Sequence, residues 1–492
     1  VLSIYFNKQG MKSFYNLFIL FSLVVLSPIL SAQNQLIDEV YRPQFHYTPA
    51  ESLLSKPNGI VFLNGKYHLF YPQELKGLQN RQVLCNHAVG TDLVHWQHQP
   101  AILLPAPDDE KDELVAVGSV LVDDQNLLNL QNGGETSSLL LFCLNGRSEL
   151  IILYSVDEGQ NWTQYPGKID LSVAEDDLID DPKVFWDADS KKYILIVYRV
   201  PGRDLSSQGV SYYSSENLID WNFESHFAGP GTCVDMVKLK VNRRDDDTRW
   251  VAFEGDGSYT IGSFDGKKFE PETAKAQGDF GKNYQGPITF QNGSDGDDRI
   301  FQLAFMEGGE YPEMPFEGQL SFPCELGLKK YLDGVYLMRK PVNELELLHE
   351  KGDTWEEKNL IPGLGKNLTK KVKGDCLHIQ GTFDLKSASS FGFVVRNSKK
   401  AVGVEIRYDV TKGILSCQGK GAKLAPEDGK IELEVLLDRT SIELFGNGGK
   451  AVLSSCYTAE PDARDLVLYN TGGELFVEKL EVYPIKSMYE SK

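Results

Sequence analysis

Gly90-Thr91-Asp92-Leu93-Val94-His95-Trp96 decides the fold, because it comes back twice. Ser155-Val156-Asp157-Glu158-Gly159-Gln160-Asn161-Trp162 is the second copy, and Ser214-Ser215-Glu216-Asn217-Leu218-Ile219-Asp220-Trp221 the third. Each follows a run of alternating aromatic and apolar residues and reads as a polar hairpin turn leading into a strand that starts at Trp. The copies lie roughly 60 residues apart, the period of a propeller whose repeat is one four-stranded blade. Residues 41–345 leave room for about five blades at that period, and nothing in them carries a helical period. Beyond Lys340-Pro341 the texture changes. Residues 346–373 read as a charged, Gly-containing linker, and 374–486 as short alternating strands such as Ile431–Leu437 and Ser441–Phe445, separated by turns such as Gly446-Asn447-Gly448-Gly449. That spacing predicts a two-sheet sandwich. The expected fold class is all-β: a five-bladed β-propeller followed by a C-terminal β-sandwich.

The 492 residues carry 50 Lys+Arg against 70 Asp+Glu, a net charge of −20. Such a chain repels phosphate backbones and anionic membranes, which argues against nucleic acid as a partner, whereas neutral sugars do not feel that field. The 22 Tyr, 25 Phe and 45 Gly favour strands and tight turns. Seven widely spaced cysteines include no Cys-x-x-Cys pair, so buried free thiols are expected rather than a zinc or redox site. Residues 1–10 read as upstream translation before Met11. Residues 11–32 read as a secretory signal peptide: Lys12, an apolar run from Leu17 to Leu26, a break at Pro28, and small residues ending at Ala32. The apolar run falls short of the ~20 residues a membrane span needs, and an exported or periplasmic protein with no membrane span is expected.

Five segments, in order, are similar to glycoside hydrolase family 32, the invertases, inulinases and levanases. They are Pro57-Asn58-Gly59 with Tyr67–Pro72; His87-Ala88-Val89 through Trp96; Asp181-Pro182-Lys183-Val184-Phe185-Trp186; Gly318–Leu326; and Leu437-Asp438-Arg439-Thr440-Ser441-Ile442-Glu443-Leu444-Phe445. The resemblance implies the same propeller and sandwich, and a retaining hydrolysis of fructosyl bonds. That reaction uses two carboxyl groups about 5 Å apart, one a nucleophile and one an acid/base. The pattern departs from the family at those positions. The family's nucleophile Asp is matched by Lys56, in Ser55-Lys56-Pro57-Asn58-Gly59, and its acid/base Glu by Thr232, in Thr232-Cys233-Val234-Asp235. Its transition-state stabiliser survives as Asp181, although the preceding Arg is replaced by Asp180. The positions that would touch a sugar become Ser55, Asn58, Cys85, Val117 and Asp180. Scaffold-forming residues match, while most residues that would touch a bound fructose do not.

Lysine cannot act as a carboxylate nucleophile, and a threonine hydroxyl is a poor general acid at neutral pH. The exchange of signs at Lys56 and Asp180 predicts an ion pair between Lys56 and Asp181 at the narrow end of the propeller axis, where an unpaired ammonium is costly. Three functions stay open. One is a catalytically impaired family-32-like protein that binds carbohydrate. A second is an active glycosidase on a fructan or other oligosaccharide using a displaced set, Asp181 with Asp235. The third is a structural module with a filled axis. Asp176, Asp177, Asp180 and Asp181 read as a solvated acidic loop, since no ordered calcium-loop spacing exists. No cofactor and no metal is called for.

Overall fold

The computed structural model describes residues 38–489 apart from 75–82, 106–115, 132–136, 146–148, 168, 172–173, 175–176, 230, 233–234, 292–296 and 363–367. The signal-peptide reading lies outside the described residues. Five antiparallel blades surround one axis, and their first strands, Gly59–Leu63, Ala116–Asp123, Leu178–Asp187, Asp235–Val241 and Gln285–Gln291, line it. The last two blades are joined into one sheet by a parallel contact between Val241 and Leu328. Helix among the described residues is confined to three short 3-10 turns.

The second strands explain why alternation alone understates this fold. Ser138–Asn145 and Lys192–Val200 are nearly continuous apolar runs, because neighbouring blades cover both of their faces. The recurrent motif closes the outer hairpin of each of the first three blades. Asp92 Oδ1 accepts the N–H groups of Val94 and His95, at 3.1 and 2.7 Å. Asp157 Oδ1 accepts those of Gln160 and Asn161, and Asn217 Oδ1 those of Ile219 and Asp220. A short carboxylate or amide reaching its own backbone is what fixes such turns. Trp162 and Trp221 then donate Nε1–H back to the carbonyls of Gly159 and Leu218. A fourth copy closes the fourth blade, where Asp265 caps Lys267 and Lys268 and Phe269 stands in the Trp position.

The sandwich packs a six-stranded sheet on a five-stranded one around a core that includes Ile379, Phe391, Phe393 and Ile442. The stretch read as a linker is partly structure: Asn343–Leu348 is a 3-10 turn, and Asp353–Leu360 pairs with Leu475–Pro484 as the edge strand of the larger sheet. Its Asp353, Glu356, Glu357 and Lys358 hid a strand behind a charged composition. The six described cysteines are free and buried.

Leu437–Phe445, one of the segments carrying the family likeness, forms the seam between the domains. Asp438 accepts the N–H groups of Gln44, Phe45 and His46 at 2.7–3.1 Å, and the His46 ring at 2.9 Å. Glu443 takes the other ring nitrogen of His46 at 2.9 Å and the N–H of Phe322 at 2.8 Å. All three charged side chains are fully buried. Burial alone would lower the His46 pKa, but the hydrogen bonds its ring donates to both carboxylates override it and hold it at about 9. Burial would raise Asp438 and Glu443, and the bond to His46 lowers both instead.

Candidate functional site

The inner strands begin at one end of the axis, and the residues at those starts gather there: Lys56 to Asn58, Gly118, Asp181 to Lys183, Asp235, and Gly286 to Ile288. Asp181 arrives through a bulge. The register of Leu178–Asp187 against Lys192–Val200 slips between Asp180 and Lys183, and Asp181 adopts φ 52°. Bulges of this kind re-aim a side chain next to functional sites. This one turns the Asp181 carboxylate onto the ammonium of Lys56, which donates to Oδ1. Gly286, at φ 54°, lets the lysine stem pass: a Cβ there would stand 3.0 Å from Lys56 Cβ.

Asp235 is also paired. Its side chain is 4% exposed and lies 3.2 Å from Lys183 Nζ, while accepting the N–H groups of Thr289 and Met236. Lys183 in turn donates to the Thr289 carbonyl at 3.1 Å. Thr232 is exposed, and its carbonyl accepts Gly255 N–H at 2.8 Å, whose own carbonyl accepts Gly286 N–H at 2.8 Å. Beside that ladder stands a carboxylate that sequence reasoning missed. Glu254 Oε2 accepts the N–H of Gly231 at 2.7 Å and the Lys275 ammonium at 2.9 Å. The Glu254-Gly255-Asp256-Gly257 run after a strand was the available signal, and it reads as an ordinary turn.

The remaining positions divide. Asn58 stays in the site and donates Nδ2 to the Val117 carbonyl at 2.8 Å. Val117 is buried and offers only that carbonyl. Asp180 is exposed and accepts the Asp181 N–H at 2.8 Å, and Ser55 is half-buried beside Lys56. Cys85 is fully buried with Leu63, Phe70, Ile102 and Cys143 between the first two blades, and burial pushes its thiol pKa well up. Its side chain therefore has no route to a sugar. The acidic loop is corrected as well: the Asp177 side chain is 2% exposed and anchors Gly202 N–H at 2.7 Å and Arg199 Nε at 2.8 Å, while Asp176 lies outside the described residues.

Three carboxylates near this end of the axis thus each face their own lysine: Asp181 with Lys56, Asp235 with Lys183, Glu254 with Lys275. Retaining hydrolysis needs one carboxyl that holds a proton beside another that is ionised. Each of the three is joined to an ammonium in an ion pair, the geometry of a paired carboxylate. The cleft bounded by Lys56, Asn58, Asp181, Asp235 and Gly286 is shallow and open to solvent, with a volume of about 40 Å³ among the described residues.

A five-bladed propeller joined to a sandwich, with its polar residues gathered at one end of the axis, is the architecture of a class of glycoside-cleaving proteins. The model of the glycosyl hydrolases family 32 N-terminal domain matches residues 46–341, and that of the family 32 C-terminal domain matches 344–484. The chain belongs to glycosyl hydrolase family 32. It is 30% identical to a levanase of Bacillus subtilis over 97% of this chain and 76% of that protein. An extracellular exo-inulinase of Aspergillus awamori is 25% identical over 95% of this chain and 98% of its own length. The crystal structure of exo-inulinase from that organism superposes with a TM-score of 0.79 at 23% identity, covering 92% of this chain and all of the other.

Proposed function

We propose that this chain is an exported family-32 protein that has lost fructosidase chemistry and retains the binding of carbohydrate. The observation that carries the reading is the Lys56–Asp181 ion pair, which sets an ammonium where the family resemblance places the nucleophile and occupies the one surviving carboxylate with it. Thr232 at the acid/base position and the 40 Å³ cleft support it. The displaced pair Asp181 and Asp235 is disfavoured, because each is already engaged by a lysine. The carbohydrate part rests on kinship with a levanase and an extracellular exo-inulinase, and export on the sequence of residues 11–32.

The test is product release from sucrose, inulin and levan by residues 33–492, beside the Asp181→Ala variant. No release from either folded protein is expected. Turnover that Asp181→Ala abolishes would mean a working site built from other groups.

A further inference from the structure

The inner strands have two ends, and the resemblance concerns only one. From Asn58, Gly118, Asp181, Asp235 and Gly286 they run to Leu63, Asp123, Asp187, Val241 and Gln291. Beyond the Lys183–Asp235 pair the axis widens into a channel of about 1490 Å³, which continues between the blades and the sandwich as far as Glu427 and Gly448. The contrast with 40 Å³ at the starting end is large. Sites for small molecules hold roughly 300–1,000 Å³, so this channel has the capacity for a chain of several units.

Its wall has the chemistry of a sugar site. Trp186, near the end of Leu178–Asp187, is 41% exposed, and of the six tryptophans it alone falls in the exposed class. Its ring is held, not loose: it makes a T-shaped contact at 4.9 Å with Tyr193, its partner on the next strand. Phe185, its chain neighbour, and Phe62, from the first blade, also line the channel and are half-buried. A partly exposed aromatic ring held in place offers apolar surface that suits the apolar face of a pyranose or furanose ring. Three ion pairs lie along it, Lys183 with Asp235, Lys238 with Asp189 at 2.5 Å, and Arg243 with Glu325 at 3.2 Å, while Lys340 and Glu432 line its far part. Paired charges offer donors and acceptors to hydroxyl groups without attracting an ion, which selects a neutral ligand.

We propose that this channel is a binding site for a neutral oligosaccharide, entered from the end opposite Lys56 and Asp181, with Trp186 as the stacking platform. The proposal rests on the carbohydrate-binding reading above and relocates the site. The probes are oligosaccharides of about three to six fructose units, prepared from inulin and from levan, a length matched to a channel larger than a small-molecule pocket. Binding is measured by calorimetry and by tryptophan fluorescence on residues 33–492, on Trp186→Ala and Trp186→Phe, and on Lys56→Met at the other end. Trp186→Ala should weaken binding about tenfold or more, Trp186→Phe should keep most of it, and Lys56→Met should leave it unchanged. Binding that survives Trp186→Ala and is lost in Lys56→Met would overturn this location while leaving the carbohydrate reading intact. No binding of either oligosaccharide set by the folded chain would overturn both.

Discussion

Replacing His46 by Gln removes the cation that bridges Asp438 and Glu443 while keeping a side chain able to hydrogen-bond, and its cost can be worked from the structure. The His46 pKa rises from 6.5 to about 9 on folding. At 1.36 kcal/mol per tenfold change in proton affinity, that is about 3 kcal/mol of stability. Removing one partner from a buried ion pair typically costs about 3–5 kcal/mol, which agrees. The sign follows from the direction of the shift. A raised histidine contributes fully below its unfolded value of 6.5, and the contribution is lost as pH rises through about 9. Asp438 and Glu443, both lowered, contribute above their unfolded values, and their share is lost as pH falls through the folded ones. Urea unfolding of wild type and His46→Gln, followed by circular dichroism, should show a gap of about 3 kcal/mol near pH 6 that narrows strongly by about pH 10. A gap below about 1 kcal/mol at pH 6, or one of equal size at both pH values, would refute the ion-paired seam.

Three further outcomes are expected. Lys56→Met should cost about 1–2 kcal/mol in the same assay, less than a fully buried pair because the lysine side chain is 33% exposed. Asp177→Ala should cost about 2–3 kcal/mol by stranding Arg199 and two loop N–H groups, and faster proteolysis near Gly202 would report it. Burial lowers His68 to about 4 and, with His68 beside it, His87 to about 3. Both therefore stay neutral in the folded protein while the unfolded chain takes up protons below pH 6.5, so stability should fall between about pH 6 and 4, and an acid titration of wild type against His87→Asn measures that share.

The architecture was legible because its devices are local. Asp92, Asp157 and Asn217 cap turns within three or four residues, so the repeat could be read directly. The fourth copy escaped because Phe269 replaces the Trp that marked the others. The edge strand Asp353–Leu360 escaped because an edge tolerates the charged composition of a linker. The seam shows the opposite limit. Asp438 was visible as part of a family motif, but its work lies with backbone groups 392–394 residues away, and no spacing rule reaches that far. At the site, the substitutions at Lys56 and Thr232 were readable against the family, and exchanged signs pointed to Asp181. The Lys183–Asp235 and Lys275–Glu254 pairs were not, since single charges on different strands leave no pattern until the blades close around the axis.

Retaining hydrolysis passes through a covalent fructosyl–carboxylate ester on the enzyme, so the proposed loss of that chemistry can be tested at the bond itself. The measurement is the intact mass of residues 33–492 after incubation with an activated fructosyl donor carrying a good leaving group, followed by peptide mapping. The account predicts an unmodified chain. A fructosyl adduct on Asp181, Asp235 or Glu254 would contradict it and identify the working nucleophile.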